Sequence, residues 1–473
     1  MKRLVTLSFI LCTVLAYGQM LVSGNQIATY TAADISSQLG IPVPYGVTAY
    51  KILYTTPGSD GVTDTASGLL CVPDDASLSY PILNYNHGTT DGKQDCPSNL
   101  QGGTFLSLGF SSQGYIVAAP DYLGMGESRG FHPYVHAATH GQASVDMLFA
   151  IETYLNNNGI AHEDQLFISG YSQGGHAGMA TQKLIEAQYM SDFNLAASGH
   201  MSGPYSISKV MKDVILADVN YGTVAFVPYV VMGYQEVYGN LYNDLTDIFK
   251  APYAPFCQQF YNGTISLTNL NIQLLTQLSI NEGNSYPYGM FQDSIVNSLR
   301  TDPNHRLNLV LQDNDVWNFN ATTPTRMYYC DADEQVSYIN ALFADSAMNA
   351  NGATDVQAIQ VDPNQSHGGC APLATLAAIL YFDQYATIGL EEHNTLEGVR
   401  VYPNPAADQI SIDLEGTENA SVTVVDGAGR VVFKKEIVPF GPQTILVSSW
   451  SSGVYLLSIE QNGLLHQQRL VIE

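Results

Sequence analysis

Two hydrophobic rhythms alternate along this chain. Segments 47–54 and 66–71 are apolar runs separated by a Gly/Asp/Thr turn, and both read as strands. A third run covers 81–86 and a fourth 114–119. Residues 138–156 then place Val145, Leu148, Phe149 and Tyr154 on one side of a helix. A fifth apolar run at 165–169 precedes a helical segment to about Tyr189, and 195–200 is another strand. The stretch 19–45, with Pro42 and Pro44, reads as a lead-in. Strands alternating with helices predict a mostly parallel sheet covered on both faces.

The rhythm breaks over about 205–320, which carries ten tyrosines between Tyr205 and Tyr288. An insertion at this place is expected to form a cap over a substrate pocket, the alternative being an extension that touches nothing reactive. Strands resume at 326–330 and 356–361, followed by a loop at 366–370 and a helix over about 372–386. Residues 19–390 form the predicted α/β domain and 391–397 a linker. From 398 to 473 the period changes to two. Seven short runs (399–402, 409–413, 420–425, 431–436, 444–447, 454–459 and 466–472) predict a small β-sandwich.

Composition narrows the function classes. The 473 residues exceed what one compact domain usually holds. Forty-three acidic against 17 basic residues give a net charge of −26. Such a charge repels nucleic acid and anionic membranes, so neither is expected as a partner. Residues 1–18 have the order of a secretory signal peptide: Lys2 and Arg3, an apolar core over 4–15, then Ala16-Tyr17-Gly18 with small residues at the cleavage positions. That core is too short to span a bilayer comfortably. The mature chain is expected to be exported and soluble. It would keep Cys71, Cys96, Cys257, Cys330 and Cys370, whose spacings match no zinc pattern. Export permits disulfides, and an odd number leaves at least one thiol outside an internal bridge.

The candidate chemistry centres on Ser169-Gly170-Tyr171-Ser172-Gln173-Gly174-Gly175-His176. Gly-x-Ser-x-Gly between a strand and a helix is the pattern of a sharp turn that exposes a nucleophilic serine. Ser172 is the candidate nucleophile, and the Gln173 amide a candidate oxyanion donor. Side chains at Gly170 and Gly174 would collide across such a turn. A Gly-rich loop with an ordinary serine is the bland alternative, and the flanking strand and helix argue against it. A serine hydrolase also needs a base and an acid to orient it, in the order Ser, acid, His for this arrangement. Asp333, just past strand 326–330, is the candidate acid, with Asp331 and Glu334 as rivals. His367, past strand 356–361, is the candidate base. A helix cap and a solvated loop histidine are their structural alternatives. Cys330 precedes Asp333 by three residues and Cys370 follows His367 by three. The pair is expected to form a disulfide tying the two loops, the alternative being two buried thiols.

His87-Gly88-Thr89-Thr90 follows the third strand, where a second oxyanion donor is expected. The Thr89 amide is the candidate, ahead of Thr90, and His87 is read as structural. His132, His136 and His140 are spaced to line one helix face like a metal ladder. Pro133 and the lack of a nearby acidic or cysteine partner argue against a metal, and no cofactor is expected. Gly124-x-Gly126 lacks the context of a dinucleotide site and reads as a turn.

His87-Gly88-Thr89, Ala119-Pro120-Asp121-Tyr122 with Gly124-Met125-Gly126, and Gly170-Tyr171-Ser172-Gln173-Gly174-Gly175 resemble the α/β-hydrolase superfamily, in its secretory lipase and carboxylesterase branch. The resemblance covers about 45–390. It implies Ser172 as nucleophile, Asp333 as acid, His367 as base, and a carboxylic ester, lipid included, as substrate. The chain departs from the usual acid loop at Cys330, where many members have Gly, and at Ser337, where many have Pro. A serine peptidase of the prolyl-oligopeptidase type, an acetyl or feruloyl esterase acting on polysaccharide side chains, and a non-catalytic binding protein are the rival readings. Separately, Val401-Tyr402-Pro403-Asn404-Pro405-Ala406, the Asp426-Gly427-Ala428-Gly429-Arg430 turn and Ser452-Gly453-Val454-Tyr455-Leu456 are similar to the C-terminal sorting domain of the type IX secretion system. That implies export, with the secretion machinery as partner and a secreted or cell-surface location. A carbohydrate-binding or adhesion module is the alternative, with Trp450 as its only stacking platform.

Overall fold

A computed structural model describes residues 21–390, 398–414, 419–425, 431–438, 441–461 and 464–472. The expected signal peptide at 1–18 and linker at 391–397 lie outside the described residues, as does the 426–430 turn. The chain divides into two compact units near residue 388.

The first unit is built on a sheet of nine strands: β1 (Leu21–Tyr30), β2 (Val47–Pro57), β3 (Thr63–Pro73), β4 (Leu78–Asn86), β5 (Ile116–Pro120), β6 (His162–Tyr171), β7 (Asn194–Met201), β8 (Thr325–Cys330) and β9 (Val356–Asp362). Their spatial order is β1-β2-β3-β5-β4-β6-β7-β8-β9. The run from β5 to β9 is parallel, while β1, β2, β3 and β5 pair antiparallel. The central strands are covered on both faces and read as buried, largely apolar runs; the last six residues of β6 are all buried. One face packs on Thr104–Ser111 and His367–Phe382 through Leu108, Phe110, Ala374, Ala378 and Phe382. The other carries Gln173–Gln188 and Ile339–Ala350, through Met179, Ala180, Ala344 and Met348. The chain leaves β4 for β5 on one side and returns to β6 on the other. Such a reversal opens a crevice at the carboxyl ends of the strands, where ligands bind in open α/β sheets.

Two expectations need correction. The lead-in expected over 19–45 instead holds β1 and the helix Ala32–Leu39, which begins with Thr31 and Asp34 capping each other's amides. The helix expected from about residue 372 begins five residues earlier, at His367, because Ser366 caps it by accepting from the Gly369 amide. Pro372 sits in its second turn.

Between β7 and β8 the chain is helical. Phe226–Tyr238, Ala254–Tyr261, Leu267–Asn281, Asp293–Thr301 and Arg306–Asp313 surround a core of their own that includes Met232, Phe249, Tyr253, Leu270, Leu274 and Leu278.

The second unit is a separate small β domain. Val399–Tyr402, Gln409–Leu414 and Gln443–Leu446 form one antiparallel sheet. Val431–Ile437, Ala420–Val425, Gly453–Gln461 and Leu464–Ile472 form the other. Ile410, Ile412, Val422, Val424, Leu457 and Ile459 share one core. Trp450, the stacking platform of the alternative reading, packs instead on Tyr455 with ring centroids 5.2 Å apart.

Candidate active site

The site is assembled from the carboxyl ends of four parallel strands. β6 stops at Tyr171, and Ser172 takes φ 61° and ψ −122° before the helix Gln173–Gln188 begins. Positive φ is costly for a residue with a Cβ. Here the turn is held from outside: the Ser172 amide donates to Met201 O at the end of β7 (2.9 Å). The two flanking glycines are steric necessities. A Cβ on Gly174 would stand 1.9 Å from Asn86 O, and one on Gly170 2.1 Å from Gly174 O.

The Ser172 hydroxyl lies 2.9 Å from His367 Nε2, and His367 Nδ1 lies 2.7 Å from Asp333 Oδ2. The histidine and the Asp333 carboxyl are almost wholly buried. His367 is fixed by four further features. It is the first residue of its helix, and its amide donates to Glu334 Oε2 (3.0 Å). Its carbonyl accepts from the Tyr171 hydroxyl. Asp333 is itself held in place, its Oδ1 accepting from the amides of Gln335 (2.9 Å) and Val336 (2.8 Å). Cys330 and Cys370 are joined by a disulfide with Cα atoms 6.0 Å apart, so the loops bearing Asp333 and His367 share a covalent tie. The remaining thiols, Cys71, Cys96 and Cys257, are buried. Of the rival acids, Asp331 accepts from Gln360 Nε2 (2.6 Å) and Glu334 serves the His367 amide.

Gln173 opens the helix after the serine, where backbone N–H groups lack intrahelical partners. Its side chain was not singled out by sequence. Gln173 Nε2 donates to His132 Nε2 (2.7 Å) and lies 3.4 Å from His140 Nε2. His132 Nδ1 in turn donates to Leu123 O (2.7 Å). Burial pushes His132 down to about 3 and His140 well below the usual histidine range, which keeps both rings neutral. The histidine ladder therefore does not share one helix face: His132 precedes the helix Ala137–Asn157, His136 caps it, and only His140 lies within it. Among the described residues no cluster of His, Cys, Asp or Glu is arranged to hold a metal. His87 is buried under the Tyr122 ring (centroids 4.4 Å apart), and its Nδ1 lies 2.8 Å from Gly88 O. Thr89 Oγ1 is hydrogen-bonded to the Tyr134 hydroxyl (2.7 Å).

Two cavities meet at Ser172. One, of about 950 Å³ including space open to solvent, enters the helical insertion between Tyr134, Phe226, Val230, Ile215, Leu299 and Leu311. Its walls are almost entirely apolar. The other, about 1360 Å³ on the same measure, is an open cleft reaching Ser172 and His367 past Thr89, Asp91, Asp95 and Asn271. A reacting group at Ser172 would thus have an apolar chamber on one side and, on the other, an open cleft whose mixed lining includes hydrogen-bonding groups.

The family model of secretory lipases matches residues 98–361. The chain belongs to the secretory lipase family. It shares 26% identity with the rice cell wall degrading esterase LipA from Xanthomonas oryzae, with a TM-score of 0.67 over 77% of this chain and 97% of that one. Candida antarctica lipase A in its closed state shares the fold at 17% identity and a TM-score of 0.57, over 77% of this chain and 81% of that one. A segment of 166 residues is 26% identical to the endo-acting ulvan lyase of Formosa agariphila; it is 34% of this chain and 26% of the lyase, so the chain spans about a quarter of that curated relative's length. Residues 400–473 match the secretion system C-terminal sorting domain. The family match supports a hydrolase of the lipase or esterase kind, and the sorting-domain match supports a secreted or cell-surface location.

Proposed function

We propose that this chain cleaves carboxylic esters bearing an apolar acyl group, through an acyl-enzyme on Ser172. The observation that carries the reading is the hydrogen-bonded series Ser172–His367–Asp333 at the mouth of an apolar chamber. His367 Nε2 takes the Ser172 proton as Oγ attacks the ester carbonyl carbon. The electron pair displaced onto the carbonyl oxygen is received by the amides of Gln173 and Thr89. His367 then gives its proton to the alcohol oxygen as the acyl–oxygen bond breaks. Water repeats the sequence on the acyl-serine, with His367 again as base, and frees the acid. Asp333 accepts from Nδ1–H throughout, fixing the tautomer that leaves Nε2 able to accept a proton.

The test is hydrolysis of p-nitrophenyl esters from acetyl to palmitoyl by the wild type and Ser172→Ala. The variant is expected to lose about three or more orders of magnitude in kcat. Each methylene that enters the chamber adds roughly 0.8 kcal/mol, or about fourfold in kcat/KM, until the chamber is full. Equal rates from wild type and variant would sink the assignment, and a flat chain-length profile would remove the acyl role of the chamber.

The outer cleft favours a second reading, an ester whose alcohol side is polar. Its Asp91, Asp95, Thr268 and Asn271 offer hydrogen-bonding groups beside Ser172, and the Xanthomonas esterase at 26% identity is described as degrading plant cell wall. Acid release from acetylated or feruloylated polysaccharide, compared with triacylglycerol, separates the two. A peptide panel is expected to remain uncut.

A further inference from the structure

The helix Leu267–Asn281 of the insertion does not satisfy its own start. A helix leaves its first amides without internal partners. Ser266 takes one of them here: its hydroxyl accepts from Asn269 N (3.3 Å), while its carbonyl starts the helix's own ladder at Leu270 N (2.9 Å). The two earlier amides leave the insertion altogether. Leu267 N donates to Asp91 O (3.0 Å), and Thr268 N to Asp91 Oδ1 (2.7 Å). Asp91 lies two residues past Thr89 in the loop after β4. Burial works against its charge, but the Thr268 amide and hydroxyl outweigh it and hold the carboxyl below the usual range, as suits an anion at a helix N-terminus.

A second fastening holds the other side of this loop. Thr89 Oγ1 bonds the Tyr134 hydroxyl, and the Tyr134 ring lies parallel to Tyr229, with centroids 4.2 Å apart and planes within 7°. Tyr229 belongs to Phe226–Tyr238, the insertion helix whose Phe226, Val227 and Val230 wall the apolar chamber. Val135, next to Tyr134, has φ +55°, a conformation a β-branched residue rarely takes. The same helix restrains it, with Tyr234 OH donating to Val135 O (3.1 Å).

We propose that Asp91 and Tyr134 are positioning residues that pin the loop of Thr89 to the helical insertion, so that this oxyanion donor is in place only while the insertion is seated. The proposal rests on the reading of Thr89 as donor. Its consequence is a link between acyl binding and chemistry: an acyl chain packed on Phe226–Tyr238 stabilises the helix that supports Tyr134, and through Tyr134 the donor.

The experiment compares full-length wild type with Asp91→Ala, Asp91→Asn and Tyr134→Phe. For each, kcat and KM are measured on p-nitrophenyl octanoate. Affinity is measured for an octyl trifluoromethyl ketone, whose serine adduct carries an oxyanion, and for octanol, which has none. Asp91→Ala and Tyr134→Phe are expected to lower kcat and ketone affinity together, by about tenfold. That is less than deletion of a donor costs, since the donor is displaced and not removed. KM and octanol affinity should stay within about twofold of wild type, since Asp91 lies outside the acyl chamber and Tyr134→Phe keeps the ring that lines it. Asp91→Asn keeps an acceptor oxygen at the helix start and should recover most of the loss. Tyr134→Phe removes one oxygen atom, so it carries the test if Asp91→Ala does not fold. Wild-type kcat and ketone affinity in Tyr134→Phe, or equal loss of ketone and octanol affinity, would overturn the proposal. A wild type that is inert on esters and unlabelled at Ser172 by a phosphonate would instead overturn the ester-hydrolase reading, and the proposal with it.

Discussion

Three carboxylates follow β8 within four residues, and each has a different task. Asp331 holds Gln360, Asp333 holds the His367 ring, and Glu334 holds the His367 amide. Their substitutions should therefore separate. Asp333→Asn keeps the shape but favours the wrong imidazole tautomer, and kcat is expected to fall by on the order of 10³ to 10⁴. Glu334→Gln keeps an oxygen that accepts from the His367 amide, and its kcat should stay within about threefold of wild type. Steady-state kinetics on one ester distinguishes them, and the reverse ranking would move the acid to Glu334. At this scale the sequence was informative where covalent geometry decides. Gly170 and Gly174 leave room for nothing larger, so strand, turn and helix could be read around Ser172. It was silent where a side chain finds its partner across the fold. Gln173 meets His132 at a separation of 41 residues, and no local period marks such a contact.

At the scale of elements, the helix His367–Phe382 shows what local signals miss. Gly368, Gly369 and Pro372 read as breakers, yet the helix starts before all three. Ser366 caps it from within, and Glu334 reaches its first amide from another loop. That second contact is tertiary and leaves no mark in the local pattern. The missed helix Ala32–Leu39 is different, because its Thr31-x-x-Asp34 capping signal stood in the sequence. The insertion was expected as a cap, but its individual helices were not read, because they bury their apolar faces in a core of their own. The disulfide belongs to this scale too, joining the end of β8 to the first turn of the His367 helix across a sequence separation of 40. The double variant Cys330→Ser/Cys370→Ser is expected to lose about 2–4 kcal/mol of stability, with kcat falling more than KM rises. Denaturant unfolding and ester kinetics check both halves. Unchanged kcat in a destabilised variant would limit the bridge to stability.

For the whole molecule, titration and export are the measurable properties. His87, His132, His136, His140, His176 and His200 are all buried in the first unit, and burial lowers each. It takes His132 and His200 to about 3 and His136 and His176 to about 4. The unfolded chain protonates such rings below about pH 6.5, whereas the folded chain keeps them neutral. Stability from this source is complete above about 6.5 and is lost as pH falls toward 4, by up to roughly 1.4 kcal/mol per ring per pH unit. Melting temperature should therefore be level above pH 7 and drop steeply between 6 and 4.5; a level curve down to 4.5 would refute this. Every group of the proposed chemistry lies in the first unit, and the sorting domain is compact in its own right. Removing 398–473 should leave activity per molecule unchanged and stop export, read by cell fractionation and ester assay.

The acidity of the chain also acts on what the reaction makes. An ester enters neutral, but its hydrolysis leaves a carboxylate beside Asp91 and Asp95 at the cleft, on a protein of net charge −26. Like charges repel, so the newly formed acid is driven outward while the next neutral ester is not opposed. Turnover should then be resistant to inhibition by its own product, and added salt, which screens the repulsion, should make a free fatty acid the better inhibitor.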